Sequence, residues 1–292
     1  MSRSLRAAFA PASLVATLLF AGACVTQESS SPEDEQAACG YLAGGDCGGK
    51  EDGTGGLTSL DWRSPEFWGD FYLAKYASQR NAFNTHIEAG PTPLAQPRTV
   101  LLITGVTIRA AWLDGIAARL RRDGFNTVMY EPPALLSGDL LQASRDLAKV
   151  VERVKAESGQ SKIDILAECT GGVISRYYIQ SLGGDANVSR LVTFVSPQHG
   201  LAAASLVSKM VDWPALRDLT PGSAFLTAVN SKSPTVPMTS IYTCTDEYIQ
   251  PYSTSVVPGA TNIGLCGHGF VGHFQTMYDP AIYLVMHDAL VK

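Results

Sequence analysis

From residue 99 onward, short apolar runs alternate with longer segments in which apolar residues recur at helical spacing. The apolar runs are rich in β-branched residues and predict strands at 99–104, 126–130, 162–167, 190–196 and 238–244, with a weaker one near 256–263. The amphipathic segments predict helices at 111–124, 138–159, 170–182 and 279–290. Strands that alternate with helices predict an α/β fold, with a mostly parallel sheet and right-handed crossovers.

Capping residues mark the ends of several predicted helices. Asp139 is placed to cap one helix and Gly159 to end it, while Asp279 followed by Pro280 is typical of a helix start. Residues 201–232 break the alternation with an apolar, helix-like run. This segment is either a cap over a functional site or a crossover helix, and the sequence leaves both interpretations open.

Residues 1–23 have the pattern of a secretory signal peptide. Arg3 and Arg6 precede an apolar stretch that is too short for a stable membrane span, and small residues follow it. Residues 21–24, which end at Cys24, resemble a bacterial lipoprotein cleavage box, although Ala21 stands where Leu is usual. We expect export with lipid attached to Cys24. Plain secretion and a retained helix are the alternatives.

Residues 24–60 are polar, glycine-rich and acidic. They hold seven of the acidic residues and one Lys, whereas the whole chain of 292 residues has a net charge of −5. Such a segment cannot bury a core, so we predict a flexible tether ahead of a domain at 61–292. The domain itself is nearly neutral and lacks the basic stripe that nucleic-acid binding requires.

The stretch "IDILAECTGGVISRYYI", residues 163–179, carries the main chemical signal. An apolar strand meets a turn with two glycines, and a helical segment follows. This arrangement is typical of a nucleophile elbow, whose usual pattern is Gly-x-Ser-x-Gly. The five residues here are Ala167, Glu168, Cys169, Thr170 and Gly171, so a thiol stands where the hydroxyl is expected.

From about residue 98 to the C-terminus, the chain resembles bacterial lipases of the α/β-hydrolase fold. The landmarks, in order, are "LLITG", "AECTGG", "RYYIQSLGG", "SPQHG", "IYTCTDEYIQPY" and "HFQTMYDP". Three residues depart from the family pattern: Ala167 replaces a Gly, Thr104 replaces a His, and Cys169 replaces the Ser. The resemblance implies a mostly parallel central sheet with helices on both faces, and a site that needs no metal and no organic cofactor.

The family order of nucleophile, acid and histidine assigns a catalytic triad. Cys169 takes the place of the nucleophile, Asp246 that of the acid and His273 that of the base. Glu247 is the rival acid and His268 the rival base, and the surrounding motifs favour Asp246 and His273. The competing interpretation of Cys169 is a small buried apolar residue without a catalytic role.

The elbow geometry also carries expectations about charge. A helix N-terminus and a paired histidine favour a thiolate, so we expect the pKa of Cys169 to be lowered. The oxyanion hole should use the backbone N–H of Thr170 and, by family correspondence, that of Val106.

Two further cysteines flank the acid and base segments. We expect a disulfide between Cys244 and Cys266 that ties the two loops together, with two unrelated thiols as the alternative.

Together these features predict an exported carboxylic-ester hydrolase, similar to lipases and esterases, that acts through an acyl-thioester on cysteine. An acyltransferase with the same nucleophile and an inactive lipoprotein that binds lipids or a partner are the alternatives. The expected partner is a small-molecule or lipid ester, with no nucleic acid, membrane contact only through the lipid anchor, and a monomeric state.

Overall fold

One mixed sheet organises the domain. The computed structural model describes residues 39–40, 59, 61–267 and 269–292. Its strands are β1 (Cys39–Gly40), β2 (Arg98–Ile103), β3 (Phe125–Tyr130), β4 (Ile163–Glu168), β5 (Val188–Phe194), β6 (Met238–Tyr242) and β7 (Thr261–Gly264). They lie in the order β1-β3-β2-β4-β5-β6-β7. All neighbouring pairs are parallel except β1 with β3. The predicted, mostly parallel sheet is therefore confirmed.

The central strands are covered on both faces. All six residues of β4 and all but the first of β2 are buried, as expected for parallel strands between two layers of helices. Their apolar side chains form the core together with the helices that follow them. Residues at the carboxyl ends of parallel strands meet at one edge of the sheet, and in open α/β sheets that edge carries the ligand site.

The helices match the prediction after residue 99, and two lie before it. Their bounds are Pro65–Lys75, Ala77–Thr85, Asp114–Arg122, Leu140–Ser158, Cys169–Ser181, Ala204–Val211, Pro214–Asp218, Ala224–Asn230 and Pro280–Val291. The first two helices were not predicted. Among the described helices, none has the length and hydropathy that crossing a bilayer would require.

The predicted caps are in place. The Asp139 carboxylate accepts a hydrogen bond from the N–H of Gln142 at 2.7 Å. Gly159 adopts a left-handed conformation, with φ of 68°, at the end of the same helix. Asp279 accepts from the N–H of Ala281 at 2.8 Å. Side-chain acceptors thus satisfy N–H groups that a helix N-terminus leaves without a partner.

Residues 201–232 form three short helices between β5 and β6. Ala224–Asn230 packs against the helix that follows the elbow, and the rings of Phe225 and Tyr177 stack 5.0 Å apart. Pro214–Asp218 is held against the start of the helix Leu140–Ser158, because the Asp218 carboxylate accepts from the N–H of Leu140 at 2.9 Å. The helix Ala224–Asn230 therefore serves as a crossover helix between β5 and β6.

All of the predicted signal peptide and most of the predicted tether, including Cys24, lie outside the described residues. Within the predicted tether, Cys39 and Gly40 pair with Met129 and Val128 at one edge of the sheet. These two residues are thus part of the sheet, although the tether prediction assigned them no structure.

Candidate active site

Cys169 occupies a strained turn between β4 and the following helix. Its φ is 46°, a left-handed value that is uncommon for any residue with a side chain. Small residues make the turn possible. A Cβ at Gly171 would lie 2.7 Å from the carbonyl oxygen of Thr104, and a Cβ at Gly172 would lie 2.6 Å from Oγ of Ser196. The sequence between strand and helix therefore forces residue 169 to the tip of a sharp turn.

Asp246 and His273 form a buried hydrogen-bonded pair. Oδ2 of Asp246 lies 2.8 Å from Nδ1 of His273. Oδ1 of Asp246 accepts from the backbone N–H groups of Tyr248 and Ile249, each at 2.8 Å, which fixes the carboxylate. Glu247, the rival acid, does not contact the imidazole and instead accepts from the backbone N–H of His273 at 2.8 Å. The rival base His268 lies outside the described residues.

The loops that carry this pair are joined covalently and by hydrogen bonds. Cys244 and Cys266 form a disulfide, which confirms that prediction. Oγ1 of Thr243 donates to the carbonyl oxygen of Val271 at 2.7 Å, and Oγ1 of Thr245 accepts from the N–H of Val271 at 2.9 Å. The spacing between Asp246 and His273 therefore rests on several contacts beyond their own.

Glu168 is a member of the site that the sequence analysis did not identify. Its side chain is fully buried at the end of β4. Oε1 lies 3.0 Å from Nε2 of His273, and Oε2 accepts from the backbone N–H of Gly105 at 2.7 Å. Since Asp246 contacts the other ring nitrogen, carboxylates lie against both sides of the imidazole. The available signal was an acid at the end of a buried apolar strand, directly before Cys169.

The charges in the site follow from these contacts. Burial lowers the pKa of His273, but the charge and hydrogen bond of Asp246, with contacts to Cys169 and Glu168, raise it well above its ordinary value. Burial also raises the pKa of Asp246, yet the pairing with His273 and the backbone hydrogen bonds lower it overall. Both shifts favour the ion pair, an imidazolium at His273 next to an ionised Asp246.

The expectation of a lowered Cys169 pKa is wrong. Burial raises the pKa of the thiol, and the neighbouring Glu168 charge raises it further, outweighing the favourable interaction with His273. The expectation considered the effects of the helix N-terminus and of His273 on the thiol pKa. It did not consider the carboxylate of Glu168, which directly precedes Cys169. In this structure the Cys169 side chain is a neutral thiol at neutral pH.

The two predicted oxyanion donors lie in the loop after β2 and in the first turn of the helix after the elbow. The structure gives neither Val106 nor Thr170 a hydrogen-bond acceptor for its backbone N–H within the described residues. Thr170 lies in the first turn of its helix, where N–H groups lack partners in the helix. The first loop packs closely on the elbow, because a Cβ at Gly105 would lie 2.5 Å from Cβ of Cys169 and 3.1 Å from N of Thr170.

Within the described residues, the donor atoms of Glu168, Cys169 and His273 lie within 4.8 Å of one another, which is a spacing that a metal ion could bridge. Hydrogen bonds with Gly105 and Asp246 already account for the positions of the carboxylate and the imidazole. We therefore interpret the cluster as a hydrogen-bonded group of side chains.

The sheet order, the strained elbow and the Asp–His pair together define an α/β-hydrolase fold. Comparison with solved structures agrees. Lipase B of Aspergillus fumigatus superposes with a TM-score of 0.61 at 21% identity, over 69% of this chain and 55% of that one. The mature lipase BlEst2 of Bacillus licheniformis gives a TM-score of 0.55 at 14% identity, over 69% and 96% of the two chains.

Sequence comparisons lead to the same group of proteins. Lipase B of Pseudozyma antarctica is 24% identical over 217 residues, which is 69% of this chain and 64% of the relative. The chain thus spans slightly less than two thirds of that lipase. A family model described as palmitoyl protein thioesterase matches residues 137–250, which include the elbow and Asp246. The chain is accordingly similar to lipases and esterases of the α/β-hydrolase superfamily.

Proposed function

We propose that this protein hydrolyses carboxylic esters, with Cys169 as nucleophile, His273 as general acid and base, and Asp246 as the residue that orients His273. One observation carries the proposal. A buried Asp–His pair with a 2.8 Å contact converges with a thiol on a strained elbow, next to two free backbone N–H groups. The similarity to lipases supports an acyl ester as substrate.

Glu168 receives the thiol proton in this mechanism. The raised pKa of His273 favours its protonated form, in which Nε2 has no free lone pair to accept another proton. The Glu168 carboxylate lies beside both groups and can take it. As the S–H bond breaks and an O–H bond forms on Glu168, Sγ of Cys169 attacks the ester carbonyl.

The remaining steps use the same residues. The backbone N–H groups of Val106 and Thr170 stabilise the oxyanion of the tetrahedral intermediate. When the C–O bond breaks, Nε2 of His273 gives its proton to the leaving alcohol and a thioester remains on Cys169. His273 then accepts a proton from water as the water oxygen attacks the thioester. The expelled thiolate regains its proton from Glu168, so the net reaction consumes one ester and one water.

Export and lipid attachment at Cys24, with the tether at 24–60, are part of the proposal. They place the enzyme in the cell envelope, where it would act as a monomer on esters. Secretion without a lipid is the other outcome. Mass analysis of the mature protein distinguishes the two, because a lipidated N-terminus is heavier by its acyl chains and begins at Cys24.

The activity is tested with a chromogenic short-chain ester and intact-mass analysis of the purified domain, kept reduced. We expect steady product release together with an acyl adduct on Cys169. Cys169→Ala is the matched control and should show neither. A burst that leaves the adduct in place would instead indicate a transferase without its acceptor. No adduct and no turnover in the native protein, with activity in Cys169→Ser, would contradict a cysteine nucleophile.

A further inference from the structure

A small cationic cavity lies behind the helix that follows the elbow. It has a volume of about 140 Å³ and is lined by Arg176, His199, Asn230, Ser231, Lys232, Ser233 and Pro258. Two of these residues are permanently basic, a third is a histidine, and none is acidic. The cavity is distinct from the candidate active site, and an inference drawn from it does not depend on the proposed hydrolase activity.

Arg176 is the unusual residue of this cavity. It is only 3% exposed, and it has no carboxylate partner among the described residues. Its Nη1 donates to Oδ1 of Asn230 at 3.0 Å, and Nη2 makes a long contact of 3.4 Å with the carbonyl oxygen of Lys232. The Nε–H is buried without an acceptor. A guanidinium has five N–H donors, so most of its hydrogen-bonding capacity is unused.

A buried charge without a counter-charge is destabilising. Burial lowers the pKa of Arg176 to about 10, which still leaves the guanidinium charged at neutral pH. Buried ions are normally paired or bound to a ligand of opposite charge, because desolvation otherwise costs several kcal/mol. Burial and the Arg176 charge both lower the pKa of His199, so the neighbouring imidazole favours its neutral form and provides no counter-charge.

The other basic groups are held in place around the cavity. Nε2 of His199 contacts the carbonyl oxygen of Val256 at 3.0 Å, which leaves its second nitrogen for another partner. Nζ of Lys232 donates to the carbonyl oxygen of Gln180 at 2.9 Å and keeps two further donors. Hydrogen bonds therefore fix both side chains while much of their donor capacity remains unused.

We propose that this cavity binds a small phosphate-type oxyanion, with Arg176, Lys232 and His199 as its ligands. Arginine and lysine side chains are well suited to phosphate oxygens, through paired N–H donors and a mobile point charge respectively. The oxyanion would supply the counter-charge that Arg176 lacks. It can come from inorganic phosphate or from the phosphate of a lipid headgroup.

The site also connects to the nucleophile. Nδ2 of Asn230 donates to the carbonyl oxygen of Gln198 at 3.0 Å, and Nε2 of Gln198 donates to Oγ of Ser196 at 2.8 Å. Ser196 in turn donates to the carbonyl oxygen of Cys169 at 2.6 Å. An anion that fixes Arg176, whose Nη1 donates to Asn230, would therefore stabilise the backbone that holds the elbow.

The binding test uses calorimetric titration and thermal unfolding of the full domain at matched ionic strength. The probes are inorganic phosphate and glycerol 3-phosphate, with chloride as reference. At about a hundredfold excess over the dissociation constant, we expect a bound anion to raise the Tm by roughly 5–10 °C. Tighter binding of glycerol 3-phosphate would identify a headgroup as the source, and equal or weaker binding would identify the free ion.

Variants decide whether the effect is specific. Arg176→Met and Lys232→Met should each weaken binding by roughly tenfold to a hundredfold, as expected for the loss of a charged hydrogen bond. Lys209→Met is the matched control, because it removes an exposed lysine elsewhere and should leave binding unchanged. Lys232 is exposed, so its variant should fold even if Arg176→Met does not. No heat and no Tm difference from chloride, or equal binding in the Lys232 variant and the control, would overturn the proposal.

Discussion

Replacing Glu168 with glutamine should make the Cys169 thiol more reactive. Glutamine keeps the shape of the side chain, and its carbonyl oxygen can still accept the hydrogen bond from the N–H of Gly105. The substitution removes the negative charge that raises the pKa of Cys169. It also removes the second carboxylate from His273, so that the thiol and the imidazole can form an ordinary ion pair.

The size of the effect follows from the distances in the site. The thiol sulfur and a Glu168 carboxylate oxygen lie within 4.8 Å of each other. Two like charges at that separation repel by about 3 kcal/mol at an effective dielectric constant near 20, which corresponds to a change in thiolate fraction on the order of a hundredfold. A less basic thiolate is a weaker nucleophile, with a Brønsted slope of about 0.5, so the net gain in alkylation rate should be roughly tenfold.

The assay is the rate of modification by iodoacetamide at neutral pH, followed by intact mass and located at Cys169. Iodoacetamide is neutral, so the removed charge does not change its attraction to the protein. Glu152→Gln is the matched control, because it removes an exposed carboxylate on the helix Leu140–Ser158. A folded Glu168→Gln variant that reacts no faster than the native protein would refute the electrostatic argument. The result does not require ester hydrolysis, so it is independent of the proposed activity.

Three further predictions concern the loops and the pair. Replacing Cys244 and Cys266 with alanine opens a loop of 22 residues and should cost about 3 kcal/mol, or roughly 6–12 °C in Tm by calorimetry; no change would contradict a stabilising bridge. Gly105→Ala places a Cβ 2.5 Å from Cβ of Cys169, so the loop that carries Val106 must shift and kcat should fall about a hundredfold or more. A native kcat in a folded variant would contradict the proposed oxyanion hole. Because the pKa of Asp246 is lowered and that of His273 raised, their pair should contribute full stability between the unfolded-state values of 3.8 and 6.5. This contribution should be lost as the pH falls through the pKa of Asp246 in the folded protein, or rises through that of His273. The measurement is the free energy of unfolding in urea at a series of pH values, compared between the native protein and His273→Gln.

The strands were predictable because buried parallel strands consist of short runs of β-branched and aliphatic residues. The predicted strand 162–167, for example, differs from the observed Ile163–Glu168 by one residue at each end. The helices Pro65–Lys75 and Ala77–Thr85 escaped prediction because they precede the alternating region. They also lack a clear apolar stripe: Tyr72 and Tyr76 instead pack their rings 4.7 and 4.9 Å from that of Phe274. Such packing depends on tertiary neighbours, which sequence periodicity does not report.

The convergence of Cys169, Asp246 and His273 could be predicted because each residue follows a strand whose carboxyl end lies at the same edge of the sheet. The contact of Glu168 with His273 could not. It requires knowing that Ala167 pairs with Ile103, which brings the next residue, Glu168, beside the loop at Gly105. Register and loop geometry decide this placement, and neither is encoded in a short motif.

The charge of the whole site explains why a protonated thiol is the stable resting form. Asp246 and Glu168 contribute two negative charges, and the imidazolium of His273 offsets only one of them. The helix N-terminus at residue 169 stabilises part of the remaining charge. A thiolate on Cys169 would add another negative charge to a buried cluster that is already unbalanced. In the proposed mechanism, Glu168 therefore keeps the thiol neutral at rest and takes up its proton when Sγ attacks the ester, so that a thiolate next to an ionised Glu168 does not have to form.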